Sequence, residues 1–97
     1  MSKTITKIVV EQMPVFKKAY KKLHRQQKTK VNEAIHAIIE NPKIGQEKKG
    51  DLTGIFIYKF KIHHQKMLLA YEWTPKKRIL LALGVHENFY RNLKKSK

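Results

Sequence analysis

Residues 55–62 read Ile-Phe-Ile-Tyr-Lys-Phe-Lys-Ile. As a strand, this run sends Phe56, Tyr58, Phe60 and Ile62 to one side. Ile55, Ile57, Lys59 and Lys61 go to the other. The first side is apolar throughout and belongs on a core. The second starts apolar and turns cationic. Same-face neighbours on a strand stand roughly 6.5–7 Å apart. Two ammonium groups at that spacing suit a polyanion lying across the sheet.

The rest of the chain sorts around this strand. Residues 4–10 are rich in β-branched side chains and predict an N-terminal strand. Pro14 stands where a helix can begin. Phe16, Tyr20 and Leu23 then recur at helical spacing, with Lys17, Lys18, Lys21 and Lys22 opposite them. Val31, Ile35, Ile38 and Ile39 mark a second helix, which Asn41-Pro42 ends. The link, residues 24–27, is short enough to predict an antiparallel helical hairpin.

Residues 42–54 contain Gly45, Gly50 and Gly54 and read as the longest irregular stretch. After the central strand, His63-His64-Gln65 predicts a turn. Met67, Leu69, Tyr71 and Trp73 form one face of the next strand, and Lys66, Leu68, Ala70 and Glu72 the other. Thr74-Pro75-Lys76-Lys77 predicts a second turn. Residues 79–85 read as a buried strand and residues 87–95 as a short closing helix. The expected fold is a single α+β domain over residues 1–97. It has an N-terminal strand, a helical hairpin, a three-strand antiparallel meander and a short C-terminal helix.

Charge sharpens this picture. Lys and Arg number 22 against 7 Asp and Glu, a formal net charge of +15, and residues 12–32 hold no acid. So lopsided a field favours a polyanionic partner, although it also serves solubility. Cysteine is absent, which excludes disulfides and cysteine-ligated zinc. No apolar run approaches the ~20 residues of a membrane span. The first residues show no basic-then-apolar signal pattern. A cytoplasmic protein without membrane contact is the expectation.

Two local runs carry a family resemblance. Leu52-Thr53-Gly54 followed by Tyr58-Lys59-Phe60-Lys61-Ile62 resembles the Leu-x-Gly…Tyr-Lys-aliphatic-Lys-aliphatic run of RelE ribonucleases. Leu83-Gly84-Val85-His86-Glu87-Asn88-Phe89-Tyr90 is similar to the Gly-x-His-x-x-x-aromatic ending of the YafQ branch. With the order of elements, these runs resemble the RelE/ParE superfamily of toxins from bacterial type II toxin–antitoxin modules. The resemblance implies an endoribonuclease that cuts messenger RNA, on the ribosome, and is neutralised by a cognate acidic antitoxin. Operator DNA would be met only through the antitoxin complex. The resemblance assigns Lys59, Lys61, His86 and Tyr90 as catalytic. Lys48, Lys49, Lys66 and Arg91 are the further RNA-binding candidates. RelE ribonucleases also carry an arginine on the strand after the lysines. Here an apolar residue, Leu68 or a neighbour, stands there, and Lys66 is the available substitute.

The chemistry asked of these residues is RNA self-cleavage. The 2′-OH attacks the adjacent phosphorus and the 5′ oxygen leaves. The catalyst must move two protons and neutralise the added negative charge, with no metal or cofactor required. Lysines suit the charge, and a histidine titrates in the right range for an acid. Blander readings exist for each residue. Lys59 and Lys61 could be a solvated strand face, His86 a helix cap, and Tyr90, with Phe89, a core aromatic. Adjacent His63 and His64 point apart and make a poor metal site. Two rival functions follow: a non-enzymatic inhibitor of DNA gyrase, as in the ParE branch, and a plain basic nucleic-acid-binding module.

Overall fold

The computed structural model describes residues 7–85. The elements are β1 (Val9–Gln12), α1 (Pro14–Lys21), α2 (Arg25–Glu40), β2 (Gln46–Glu47), β3 (Phe56–Ile62), β4 (Gln65–Thr74) and β5 (Lys77–Gly84). The sheet order is β1-β5-β4-β3-β2. β1 runs parallel to β5, and the other neighbours are antiparallel. The expected α+β architecture of strand, helical hairpin and meander is present. The expected closing helix at residues 87–95, and residues 4–6 of the expected first strand, lie outside the described residues.

Both helices lie against one face of the sheet. Phe16 of α1 and Val31, Ala34 and Ile38 of α2 are buried. They meet Met67, Leu69 and Tyr71 of β4 and Leu80 and Leu83 of β5. The other face has its own apolar cluster, built from Leu52, Ile55, Ile57, Leu68, Ala70, Leu81 and Ala82. Ile55 and Ile57 are fully buried, while Phe56, Tyr58 and Phe60 are only half-buried. The face expected to carry the core of β3 does join the helix-side cluster, with Ile62 buried in it and Phe56, Tyr58 and Phe60 packed against it, while the opposite face is buried at Ile55 and Ile57 and exposed at Lys59 and Lys61.

Several boundaries differ from expectation. α2 begins at Arg25, so the helical link is shorter than residues 24–27. The His24 N–H donates to Gln27 Oε1 at 2.8 Å and ties the chain entering α2 to its first turn. The turn after β3 holds only His63 and His64, because Gln65 already pairs with Ile62. His63 takes a positive φ of 57°. The stretch 42–54 is not irregular throughout. It forms short 3-10 turns at Pro42–Ile44 and Gly50–Leu52, with β2 between them.

A register shift interrupts the β4–β5 ladder. Tyr71 faces Leu80, yet Ala70 faces Ala82, so Leu81 is an extra residue in β5. This β-bulge puts consecutive Leu81 and Ala82 in the second apolar cluster, while Leu80 and Leu83 stay in the first.

Two polar ties cross the layers, and neither is visible in the periodicity. Arg78 is 4% exposed. Its Nε donates to Ile38 O (3.1 Å) and its Nη2 to Ile39 O (2.9 Å), both in the last turn of α2. Its Nη1 donates to Thr74 O (2.7 Å) and Lys77 O (3.1 Å) at the β4–β5 turn. The guanidinium thus satisfies helix carbonyls that have no partner within the helix. Burial lowers its pKa, but arginine remains charged at any ordinary pH. The second tie is Tyr71, whose hydroxyl donates to Pro42 O (2.6 Å) and accepts the Gly45 N–H (2.9 Å). Burial raises its pKa and keeps it a neutral donor. A Cβ on Gly45 would stand 2.6 Å from that hydroxyl and 3.0 Å from Ile57 O, so the chain can pass here only as glycine.

Two stability predictions follow from these ties. Arg78→Met keeps an apolar stem but strips donors from several carbonyls. It should cost about 2–4 kcal/mol, since charged hydrogen bonds contribute roughly 1.5–3 kcal/mol each, read as a lower urea midpoint. Gly45→Ala should destabilise, and less so in a Tyr71→Phe background, where the obstructing hydroxyl is gone. Equal penalties in the two backgrounds would show that the close approach to Tyr71 is not the constraint.

Candidate nucleic-acid interface

The lysines of β3 belong to a row structure on the sheet face opposite the helices. Lys59 pairs with Leu68, and Leu68 with Gly84. One row therefore runs from Lys59 across β4 to the end of β5. Two interstrand spacings span roughly 10 Å. In the next row outward Lys61 stands directly opposite Lys66. Lys59, Lys61 and Lys66 are all exposed and share one face. Lys66 thus lies on β4 itself, and the two-residue turn at His63–His64 sets its partner.

This cluster is unfavourable on its own terms. Like charges directly opposite each other on adjacent strands repel. Among the described residues none of the three lysines pairs with a carboxylate; the ion pairs there are Lys30–Glu33 (3.9 Å) and Lys77–Glu11 (3.3 Å). The apolar cluster fills the upper part of this face, and the ammonium groups fill its lower end. An anion lying over rows 59 and 61 would meet three cations on one sheet face, none of them in an ion pair among the described residues.

The other candidates sit elsewhere. The Lys48 N–H donates to Ile55 O at 2.8 Å, so Lys48 lies at the upper end of β3. Four residues of strand, roughly 13 Å, separate Ile55 from Lys59. Lys49 is exposed at the start of the Gly50–Leu52 turn. His86, Tyr90 and Arg91 lie outside the described residues. Among the described residues, no group of His, Asp or Glu converges as a metal site. None of the helices there is long and apolar enough to cross a membrane.

A feature the alternation did not single out adjoins Lys61. The rings of Tyr58 and Phe60 stack with centroids 5.9 Å apart and planes 19° from parallel. With Lys30, Glu33, Ala34 and Lys61 they line a groove of about 160 Å³ between α2 and β3. Both aromatics were legible as an apolar face, but their half exposure follows from the ending of β2 alongside Ile57. Lys17, Lys18 and Lys21 of α1 and Lys22 at its C-cap are also exposed and extend the basic surface to the helical side.

Residues 10–94 match the sequence profile of the ParE-like toxin of type II bacterial toxin-antitoxin system. No curated protein matches the chain by sequence. The fold is similar to a chain of the intact RelBE toxin–antitoxin complex of E. coli, with TM-score 0.65 and 17% identity over 82% of this chain and 98% of that one. It is similar to a chain of the RelBE2 complex of Mycobacterium tuberculosis, with TM-score 0.69 and 17% identity over 82% and 99%. The YoeB dimer of Staphylococcus aureus gives TM-score 0.64 and 22% identity over 82% and 98%. At these identities the structures speak to the fold, whereas the profile spans most of the sequence. The chain therefore belongs to the family of ParE-like toxins of type II bacterial toxin–antitoxin systems.

Proposed function

We propose that this toxin is a metal-independent endoribonuclease that cuts messenger RNA on the ribosome. The observation that carries the reading is the exposed cluster of Lys59, Lys61 and Lys66, none of them ion-paired among the described residues, with two of its members directly opposed across strands. Such a cluster gains stability only when an anion covers it, and a scissile phosphate in its transition state is the most highly charged form of that anion. In this mechanism Lys59 and Lys61 neutralise the phosphorane and Lys66 holds the phosphate. Removal of the 2′-OH proton falls to the same basic cluster. His86 follows two residues after Gly84, whose row contains Lys59, and it protonates the departing 5′ oxygen. Tyr90 stacks on a base or assists that protonation, and Arg91, Lys48 and Lys49 contact flanking phosphates. Leu68 stands in the Lys59 row where RelE ribonucleases are expected to place an arginine, and Lys66 supplies the missing cation from one row further out.

The neighbours solved as toxin–antitoxin complexes support a cognate antitoxin here too, acidic to suit the +15 charge. Operator DNA is met through that complex. The deciding experiment assays cleavage of translated messenger RNA beside supercoiling by DNA gyrase. Cleavage supports the proposal, and gyrase inhibition without cleavage replaces it with the ParE-type reading. Binding of RNA with neither effect leaves a basic binding module.

Lys59→Ala and Lys61→Ala should stay folded and each slow cleavage, since their side chains are exposed. Full activity in both would move the site elsewhere. His86→Gln should lower single-turnover cleavage by about 10²–10⁴-fold, the usual cost of losing a general acid, with RNA affinity nearly unchanged. Tyr90→Phe distinguishes stacking (little loss) from proton donation (large loss). Lys66→Glu places opposite charges across the strands. It should raise stability by about 0.2–1 kcal/mol while weakening RNA binding. A variant that loses stability instead would contradict the cross-strand pairing of Lys61 and Lys66.

A further inference from the structure

On the helix side of β3, two aromatic rings stand half-buried at the rim of the core. Tyr58 and Phe60 are two residues apart and share a face. Their rings lie nearly parallel, 19° apart, with centroids separated by 5.9 Å. Beside them runs the groove of about 160 Å³, which Lys30, Glu33 and Ala34 of α2 line from the other side. Covering the buried Met67 and Leu69, which pair with Phe60 and Tyr58, needs apolar side chains but not aromatic ones. Nor does a core rim need cations at its mouth.

Three chemical features define what the groove can hold. The aligned ring planes accept a further flat ring in series. Lys30 and Lys61 flank it and favour negative charge on either side of that ring. Glu33 stands inside, where its carboxylate repels an anion and accepts from N–H groups. Its contact with Lys30 is loose at 3.9 Å, and both side chains are more than half exposed, so the pair is weak. A ligand that is flat and neutral in the middle and anionic at its ends satisfies all three. A nucleotide within a single strand has that form. Ala34 is the one aliphatic side chain in the lining, which leaves little for an apolar peptide to bury against.

We infer that Tyr58 and Phe60 form a stacking platform for one unpaired base of the RNA strand whose phosphate lies on Lys59 and Lys61. Lys61 links the two places. By parity it belongs to the lysine face, yet it also lines this groove. Among the described residues the strand on that side of β3 is β2, which stops alongside Ile57, so no strand separates the lysines from the rings. The inference rests on the proposed function for RNA as the ligand and adds a second site to it. Stacking tolerates every base, because each has a π-face. The platform therefore sets register and not sequence: a base fixed on Tyr58 and Phe60 decides which phosphodiester comes to rest over the lysine rows.

The test uses the full chain and a short single-stranded 2′-O-methyl RNA, which cannot be cut because the attacking hydroxyl is methylated. Versions lacking one base at a time keep every phosphate. Affinities are read by fluorescence anisotropy over a range of salt. Removal of one particular base should weaken binding by at least about 5-fold, the low end of the usual stacking contribution. Phe60→Leu should weaken the intact RNA by a similar factor and leave the RNA lacking that base unaffected, so that ring and base are coupled in the cycle. Its salt dependence should match wild type, since no charge is removed. Tyr58→Phe keeps the ring and should bind like wild type. In the unaltered protein, the ring-proton NMR signals of Tyr58 and Phe60 should move upfield with intact RNA and not with the version lacking that base.

Equal weakening of intact and base-deleted RNA by Phe60→Leu would mean that the ring only supports the fold, and would overturn the inference. So would absence of binding, equal affinity of wild type for every version, or ring signals that ignore the base. The NMR measurement needs no substitution, so it decides even if Phe60→Leu fails to fold. Cleavage of translated messenger RNA by the same preparation separates the two claims. Cleavage without base-dependent binding removes only the platform, and coupling of ring to base without cleavage removes only the ribonuclease.

Discussion

A single buried guanidinium holds the helical layer to the sheet. Arg78 joins the last turn of α2 to the β4–β5 turn through four hydrogen bonds. Apolar packing between Ile38, Leu69 and Leu80 supplies the larger driving force, but it is non-directional. The arginine adds direction. It fixes where α2 must end, and so where the chain starts its return to the sheet. Asn41 and Pro42 then deliver the backbone to Tyr71, which turns it at Gly45 onto the edge of β3. The short β2 follows from that point of departure.

The lower end of the sheet is built on a conflict. The fold places Lys61 against Lys66 and leaves Lys59 one row away, and none of the three forms an ion pair among the described residues. A protein selected for stability alone would mix signs there. The cost is modest at the surface, and the benefit is a preorganised field that need not rearrange when an anion arrives. The lysine stems rise from a sheet whose interior neighbours, Ile57, Leu68 and Ala70, are fully buried, so the platform under the charges is rigid.

Much of this was legible in the sequence, for a physical reason. Helices and strands with one apolar face leave a period, and α1, α2, β3 and β4 all show one. The parity of Lys59 and Lys61 could be read from the same alternation. What escaped depends on distant contacts or on single-residue offsets. Gln46-Glu47 is too short and too polar to announce a strand. Arg78 follows Lys76 and Lys77 and reads as one more turn cation, because the carbonyls it serves are about forty residues earlier. The Lys61–Lys66 pair needed a two-residue turn. A turn extending to Gln65, as expected, would have set Lys61 against Met67 instead. His86, Tyr90 and Arg91 were legible only through the family resemblance.

The bulge at Leu81 acts as a phase shifter in β5. Without the extra residue, strict alternation would turn Gly84 towards the helices and carry Leu83 to the lysine face. With it, the bulky leucine stays in the core and the residue with no side chain enters the row of Lys59. The last described strand therefore presents bare backbone, not a side chain, beside Leu68. Grafting the ending of one relative onto the sheet of another would preserve this arrangement only if the donor and the host agree on the bulge. A one-residue disagreement would invert every position that follows, even where the motif itself was copied intact.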